Sequence, residues 1–210
     1  MVQRSSTRWR RRKEARPDEI LAAALASFAE RGFAATRLED VAARAGISKG
    51  TLYLYFGGKE ELFEAVVRAT LLPNIERVEA LAASYEGPSA ELLERLLLTI
   101  AGVLSTRAGA IPKLVIAEAG NFPDLARFYL DEVIRRGLRL IGTILRRGIE
   151  RGEFRPIDVD HAVFCVIAPM LLAALWKNSL EPHDDAPLDA QALARAHLDL
   201  LLRGLEAHGR

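Results

Sequence analysis

Cysteine is nearly absent from this chain: Cys165 is the only one in 210 residues. One thiol cannot close an intramolecular disulfide, which excludes a disulfide-stapled scaffold and predicts a reducing compartment. Long apolar runs are lacking too. The longest, Ala162 to Trp176, is fifteen residues with Pro169 inside it, short of the roughly 20 needed to cross a bilayer, so it is expected to be a buried helix. No apolar stretch follows the basic N-terminus, so no secretory signal and no membrane partner are expected, and the chain is expected in the cytoplasm. Strand-like alternation, internal repeats and low-complexity segments are all missing. No Gly-rich phosphate loop, nucleophile elbow or metalloprotease helix occurs, so neither a catalytic residue nor a cofactor is expected. His161 and Cys165 share a helix face at i, i+4, but no third ligand is nearby in sequence, so no metal is expected either.

Net charge is small as well, +1 overall, but that figure averages two unlike parts. Residues 1–60 carry 12 Lys/Arg against 7 Asp/Glu, and residues 61–210 carry 17 against 21. Within residues 1–16, seven basic side chains face one acid, Glu14. A basic head on an acidic body suits a chain that touches a polyanion at one end; a solvated basic tail is the alternative.

Apolar residues recur at helical spacing nearly throughout, and short Gly/Pro/Asn/Asp clusters punctuate them. The spacing predicts helices from near Pro17 to Gly32, Arg37 to Ala45, Lys49 to Phe56, and from Lys59 to the low eighties with a bend at Pro73. Beyond Gly87-Pro88 it predicts helices over 89–106, 112–119, 123–151, 159–180 and 190–205, with Asp158 and Asp189 as N-caps. The expected fold class is all-α. A basic arm (1–16) precedes a three-helix helix-turn-helix domain (17–60), and a larger helical bundle (61–210) completes the chain.

The front helices carry the most specific local chemistry. Thr36-Arg37-Leu38-Glu39 reads as a capping box, with Thr36 capping the second helix. Ala45-Gly46-Ile47-Ser48 supplies a tight turn and a Ser to cap the third. Leu38, Val41, Ala42, Ala45, Ile47, Leu52 and Phe56 form the expected core. At 100° per residue Leu52 and Phe56 point inward, which leaves Gly50 and Leu54 outward, flanked by Thr51 and Tyr53. An outward Leu54 suits a thymine methyl in a major groove. Gly50 permits close backbone approach, and Lys49, Tyr53, Tyr55 and Lys59 are hydrogen-bond donors of the kind that contact phosphates.

The run from Thr36 to Leu62, TRLEDVAARAGISKGTLYLYFGGKEEL, with Phe28 and Gly32-Phe33 upstream, resembles the N-terminal signature of the TetR family of transcriptional regulators. The resemblance implies a homodimeric repressor whose third helices enter successive major grooves of a palindromic double-stranded DNA operator. It implies phosphate contacts from Thr36, Arg37 and Lys59, and base and phosphate contacts from Ser48, Lys49, Thr51, Tyr53, Leu54 and Tyr55. Two positions depart from the pattern: Arg37 stands where a small hydroxyl residue is common, and Gly58 where a capping Ser or Asn is usual. The run Arg8-Trp9-Arg10-Arg11-Arg12-Lys13 could add minor-groove or backbone contacts.

Farther on, Asn121-Phe122-Pro123-Asp124-Leu125, Arg151-Gly152 and the segment Leu198–Leu205 resemble C-terminal regions of the same family. The helix over 159–180 is apolar nearly all round, so with the helix over 190–205 it is the expected dimer interface. The resemblance also implies a small-molecule effector held in the bundle, and the abundance of Leu, Ile, Val and Phe points to a hydrophobic one. Thr99, Glu118, Asn121, Thr143 and His161, polar groups within apolar stretches, are the candidate pocket residues. Two alternatives stand beside this reading: a constitutive DNA-binding or chromosome-organising protein of the same fold with no effector, and a ligand-binding helical protein that does not bind DNA.

Overall fold

The structure, a computed structural model, describes residues 16–206, so the basic arm lies almost wholly outside the described residues. These residues form helices, and their only β-type pairing is one isolated bridge between Phe154 and Glu206. The chain divides into two compact units between Ala69 and Thr70, nine residues beyond the boundary that the helix-turn-helix pattern suggests.

The first unit contains α1 (Arg16–Arg31), α2 (Leu38–Arg44), α3 (Lys49–Tyr53) and α4 (Lys59–Thr70). Asp18 and Glu19 lie in the first turn of α1 and Arg31 in its last, each at the end where the helix dipole favours its charge. Gly32, at φ +84°, ends the helix, and its N–H donates to the Phe28 carbonyl at 2.9 Å. Phe28, Phe33 and Phe63 are fully buried. Their ring centroids lie 5.4, 5.6 and 5.5 Å apart, in the tilted and edge-on arrangements that the ring quadrupoles favour. Phe63 belongs to α4, which is why that helix folds with the first unit and moves the boundary past residue 60.

The second unit contains α5 (Leu72–Ser84), α6 (Ser89–Leu104), a 3-10 turn (Arg107–Ala110), α7 (Ile111–Glu118), α8 (Pro123–Tyr129), a π turn (Leu130–Ile134), α9 (Arg135–Glu150), α10 (Val159–Ser179) and α11 (Ala190–Leu205). Its core joins Leu92, Leu93 and Leu97 of α6 to Ile141 and Ile144 of α9 and Val166 of α10. Asp158 caps α10 by accepting from the N–H groups of Asp160 and His161 at 3.1 and 3.3 Å. Asp189 caps α11 through Gln191 and Ala192 at 2.9 and 3.1 Å. Both caps match the sequence expectation.

Two helices differ from expectation. The stretch from Lys59 to the low eighties is two helices broken at Leu71, and Pro73 sits in the first turn of α5, where its missing N–H costs no hydrogen bond. The stretch from Pro123 to Glu150 runs without a loop, but its middle is the five-residue π turn, an insertion that periodicity does not reveal because the apolar stripe continues through it.

After α9 the chain doubles back. Gly152, at φ +71°, makes the turn, Phe154 packs its ring over Gly148, and the Arg155 N–H donates to the Leu205 carbonyl at 2.9 Å. A methyl at Gly148 would come within 2.1 Å of the buried Phe154 ring. Gly148→Ala is therefore expected to cost about 1–3 kcal/mol, the usual price of overpacking. Urea denaturation followed by circular dichroism checks this, and unchanged stability would show that the ring has room to move.

Candidate nucleic-acid interface

The turn between α2 and α3 is a Schellman motif. Gly46 takes the left-handed conformation, φ +67°; its N–H donates to the Ala43 carbonyl at 3.1 Å and the Ile47 N–H to the Ala42 carbonyl at 3.0 Å. These bonds satisfy the last carbonyls of α2 and set the direction in which the chain leaves it. Ser48 then caps α3, its hydroxyl accepting from the Thr51 N–H at 3.0 Å and pairing with the Thr51 hydroxyl at 2.8 Å. Leu52 is fully buried, whereas Leu54 is 84% exposed. Tyr53 and Tyr55 are also exposed, as are Lys49 and Gly50. The helical phase thus divides α3 as the sequence predicts: one apolar anchor inward, and an outward face of Lys49, Gly50, Tyr53 and Leu54. Ile47 and Phe56 are half-buried rather than fully internal.

Two ion pairs brace α1 against α2. Arg44 grips the Glu30 carboxylate with both terminal nitrogens at 2.6 and 2.5 Å, and Arg31 meets Asp40 at 2.5 Å. A third links α2 to α3, where the Lys49 ammonium donates to the Glu39 carboxylate. This contact holds the Glu39 carboxyl below its ordinary range and the Lys49 ammonium above its own. Glu39 is the functional residue that the motif reading missed, since it was assigned there to the capping box. A Glu ten positions before a Lys carries no local signal of pairing. Arg37 is exposed and makes no hydrogen bond or ion pair among the described residues, so its guanidinium is available to a phosphate.

Two expected phosphate contacts have other roles. Thr36 is 2% exposed, and its hydroxyl donates toward the Gly32 carbonyl at 2.6 Å and lies 3.2 Å from that of Ser27. The N-cap of α2 is Arg37, which makes no side-chain capping bond. The capping box does not form because burial turns the Thr36 side chain toward α1. Lys59 donates to the Phe33 and Ala34 carbonyls at 2.8 and 3.0 Å and stands 4.6 Å above the Phe33 ring. It latches the start of α4 to the turn after α1. Glu61 in turn accepts from the Gly57 N–H at 2.7 Å, a contact that answers the missing cap at Gly58.

The five candidate pocket residues do not converge on a site. Thr99 and Thr143 donate to the carbonyls four residues back, Arg95 at 2.7 Å and Arg139 at 3.0 Å. Such back-bonding satisfies a hydroxyl without any ligand. Asn121 is exposed and lies 3.3 Å from the Glu118 carboxylate at the end of α7. His161 is exposed at the start of α10, its Nδ1 2.6 Å from Asp158. That contact raises the imidazole pKa above its ordinary value and lowers that of Asp158.

Two substitutions separate these roles. Glu39→Gln frees Lys49 and removes a negative charge from the α2–α3 face, so DNA affinity is expected to rise about two- to fivefold, the scale of an exposed ion pair; fluorescence anisotropy that shows weaker binding would make Glu39 a direct contact instead. Lys59→Ala is expected to cost about 1–3 kcal/mol of stability through the lost charged hydrogen bonds, while the slope of log affinity against log salt stays unchanged. A slope reduced by about one would return Lys59 to the phosphates.

Comparison with known proteins covers both units. Residues 20–66 match the family model for bacterial regulatory proteins of the tetR family. Residues 86–196 match the model for the tetracyclin repressor-like C-terminal domain. The HTH-type transcriptional repressor KstR2 of Mycobacterium tuberculosis is 29% identical over 196 residues, covering 92% of this chain and 94% of that protein. The fatty acid metabolism regulator protein of Bacillus subtilis is 29% identical over 203 residues, covering 92% of this chain and 98% of that protein. The solved structure of the ketosteroid transcriptional regulator KstR2 of Mycobacterium tuberculosis matches with a TM-score of 0.73 at 28% identity, over 92% of this chain and 96% of that one.

Proposed function

This chain belongs to the tetR family of bacterial regulatory proteins, and from that premise we propose that it is a homodimeric repressor of a palindromic operator, released by a large apolar carbonyl compound. It is a DNA-binding transcriptional regulator, like the relatives it matches. The observation that carries the DNA reading is the outward face of α3, where Leu54 stands 84% exposed between Tyr53 and Tyr55. An apolar side chain so presented, beside phenol and ammonium donors, suits thymine methyls and phosphates in a major groove. Arg37, Ser48, Lys49, Gly50, Thr51, Tyr53, Leu54 and Tyr55 form the proposed contact surface. The protein works in the cytoplasm, where such an operator lies.

The dimer reading rests on α10 and α11. Helix α10 buries Val163, Val166, Met170, Ala173 and Ala174 in its own bundle, and Phe164, Leu171 and Leu172 on its other side remain exposed. An 18-residue window within this 21-residue helix has a mean hydropathy of 1.9, so by length and composition alone it could cross a bilayer. The neighbouring surface favours a protein partner. On α11 the exposed Leu200 is flanked by the exposed charges Arg195, Asp199 and Arg203, a mixture that suits the core and rim of a subunit contact and not lipid.

The effector class comes from the relatives' names, which refer to ketosteroids and to fatty acids, both apolar molecules. An effector releases DNA only by binding the DNA-incompetent state more tightly. A gel shift with the chain's own upstream DNA tests the function. A specific, salt-sensitive shift relieved by stearoyl-CoA or by a ketosteroid is expected; no specific shift sinks the repressor reading, and a shift relieved by neither favours a constitutive DNA-binding protein. The dimer has its own test. Phe164→Arg with Leu172→Arg is expected to weaken self-association by at least about 2 kcal/mol, the scale of an interface hot spot. Analytical ultracentrifugation reads this, and a variant that stays dimeric would place the contact elsewhere.

A further inference from the structure

The chain has four tyrosines. Tyr53 and Tyr55 are exposed on the reading head, and Tyr85 donates to the Glu91 carboxylate. The fourth, Tyr129, is 6% exposed, and its hydroxyl makes no hydrogen bond among the described residues. A buried hydroxyl normally finds a partner, because one left unsatisfied loses its solvation with nothing in return. Burial alone raises its pKa, with no neighbouring charge or hydrogen bond contributing, so the phenol is a neutral donor in apolar surroundings.

Its position adds a second observation. Tyr129 is the last residue of α8, and the π turn Leu130–Ile134 begins immediately after it. Single π turns inside helices recur at functional sites, where the extra residue re-aims a side chain at the expense of regular pairing. None of the five residues of this turn is buried, and its two bulky apolar side chains, Leu130 and Ile134, are exposed. Helix α8 packs against α7, whose buried residues Ile111, Leu114 and Val115 are all apolar. The end of α8 thus places one unpaired donor beside an apolar helix pair, with an apolar step to the surface.

We propose that the Tyr129 hydroxyl is the polar anchor of the effector site, donating a hydrogen bond to a neutral carbonyl oxygen on an otherwise apolar ligand. This rests on the effector-responsive reading of the chain. A carboxylate is disfavoured because it would bury a charge with no cation beside it. A carbonyl supplies an acceptor without that penalty. The acyl thioester of a fatty acid and the ketone of a steroid share this group, and the test separates them.

Isothermal titration of the full-length protein with stearoyl-CoA, with its thioether analogue S-octadecyl-CoA, and with androst-4-ene-3,17-dione compares wild type and Tyr129→Phe. Whichever carbonyl compound binds the wild type is expected to lose about tenfold in affinity in Tyr129→Phe, the scale of one hydrogen bond. The thioether should bind both proteins alike. Tyr129→Phe binding the carbonyl compound as tightly as wild type, or losing the thioether equally, overturns the role of Tyr129 and leaves the effector reading standing. A wild type that binds none of the three overturns both. The ligand-free melting temperature gives an independent reading: it should be unchanged or higher in Tyr129→Phe, since an unpaired hydroxyl is removed, and a fall of several degrees would show a structural hydrogen bond and overturn the proposal.

Discussion

Helix α3 has only five residues, and an isolated helix of that length does not persist in water, so the reading surface depends on its anchor in the fold. Leu52 is that anchor. It is fully buried, and its carbonyl accepts from the N–H groups of Tyr55 and Phe56 at 3.0 and 3.1 Å, which closes the chain around it. The Schellman turn at Gly46 and the Ser48 cap fix the entry to the helix, and Lys59 fixes the start of α4 by its bond to the Phe33 carbonyl. Beneath lie the three phenylalanines. With Leu52 held in place, a 100° step per residue leaves Leu54 no option but to face outward.

Electrostatics in the first unit is mostly internal. Residues 17–60 hold five Lys/Arg against six Asp/Glu, so the helix-turn-helix itself is not basic, and the positive excess of the N-terminal region belongs to residues 1–16. Arg31 and Arg44 are paired across α1 and α2, Lys49 is paired with Glu39, and Lys59 bonds to carbonyls. Long-range attraction to a polyanion therefore has its source in the arm, while orientation and readout come from the short helix. Glu39 sits where the two effects meet, a carboxylate whose partner is a cation expected at the phosphates.

In the second unit one property, the uniform apolarity of α10, serves two surfaces. Val166 and Met170 close the bundle, while Phe164 and Leu172, on the same helix, face away from it. The polar groups of this unit sort in the opposite sense. Threonines and asparagines within apolar stretches satisfy themselves on nearby backbone or on each other, and the unpaired group is a tyrosine at a helix end. An interior so poor in polar partners makes a single hydroxyl a strong selector, because a ligand that lacks an acceptor leaves it desolvated and alone.

Local patterning in the amino-acid sequence determined the all-α class, the tight turn at Gly46, the caps at Ser48, Asp158 and Asp189, and the opposed faces of Leu52 and Leu54. Each depends on residues within about four positions of one another, which is the range over which helical periodicity and capping act. The tertiary structure alone decided where side chains with a choice of partner would go. Thr36 bonds back to α1 instead of capping α2; Lys59 reaches the Phe33 carbonyl, 26 residues away; and α4 joins the first unit through Phe63. The π turn beside Tyr129 was equally invisible, since inserting a residue into a helix shifts its hydrogen bonds without changing which residue types line its stripe. Burial separated Tyr129 from Thr99 and Thr143, because whether a polar group lacks a partner depends on everything packed around it and not on its neighbours in the chain.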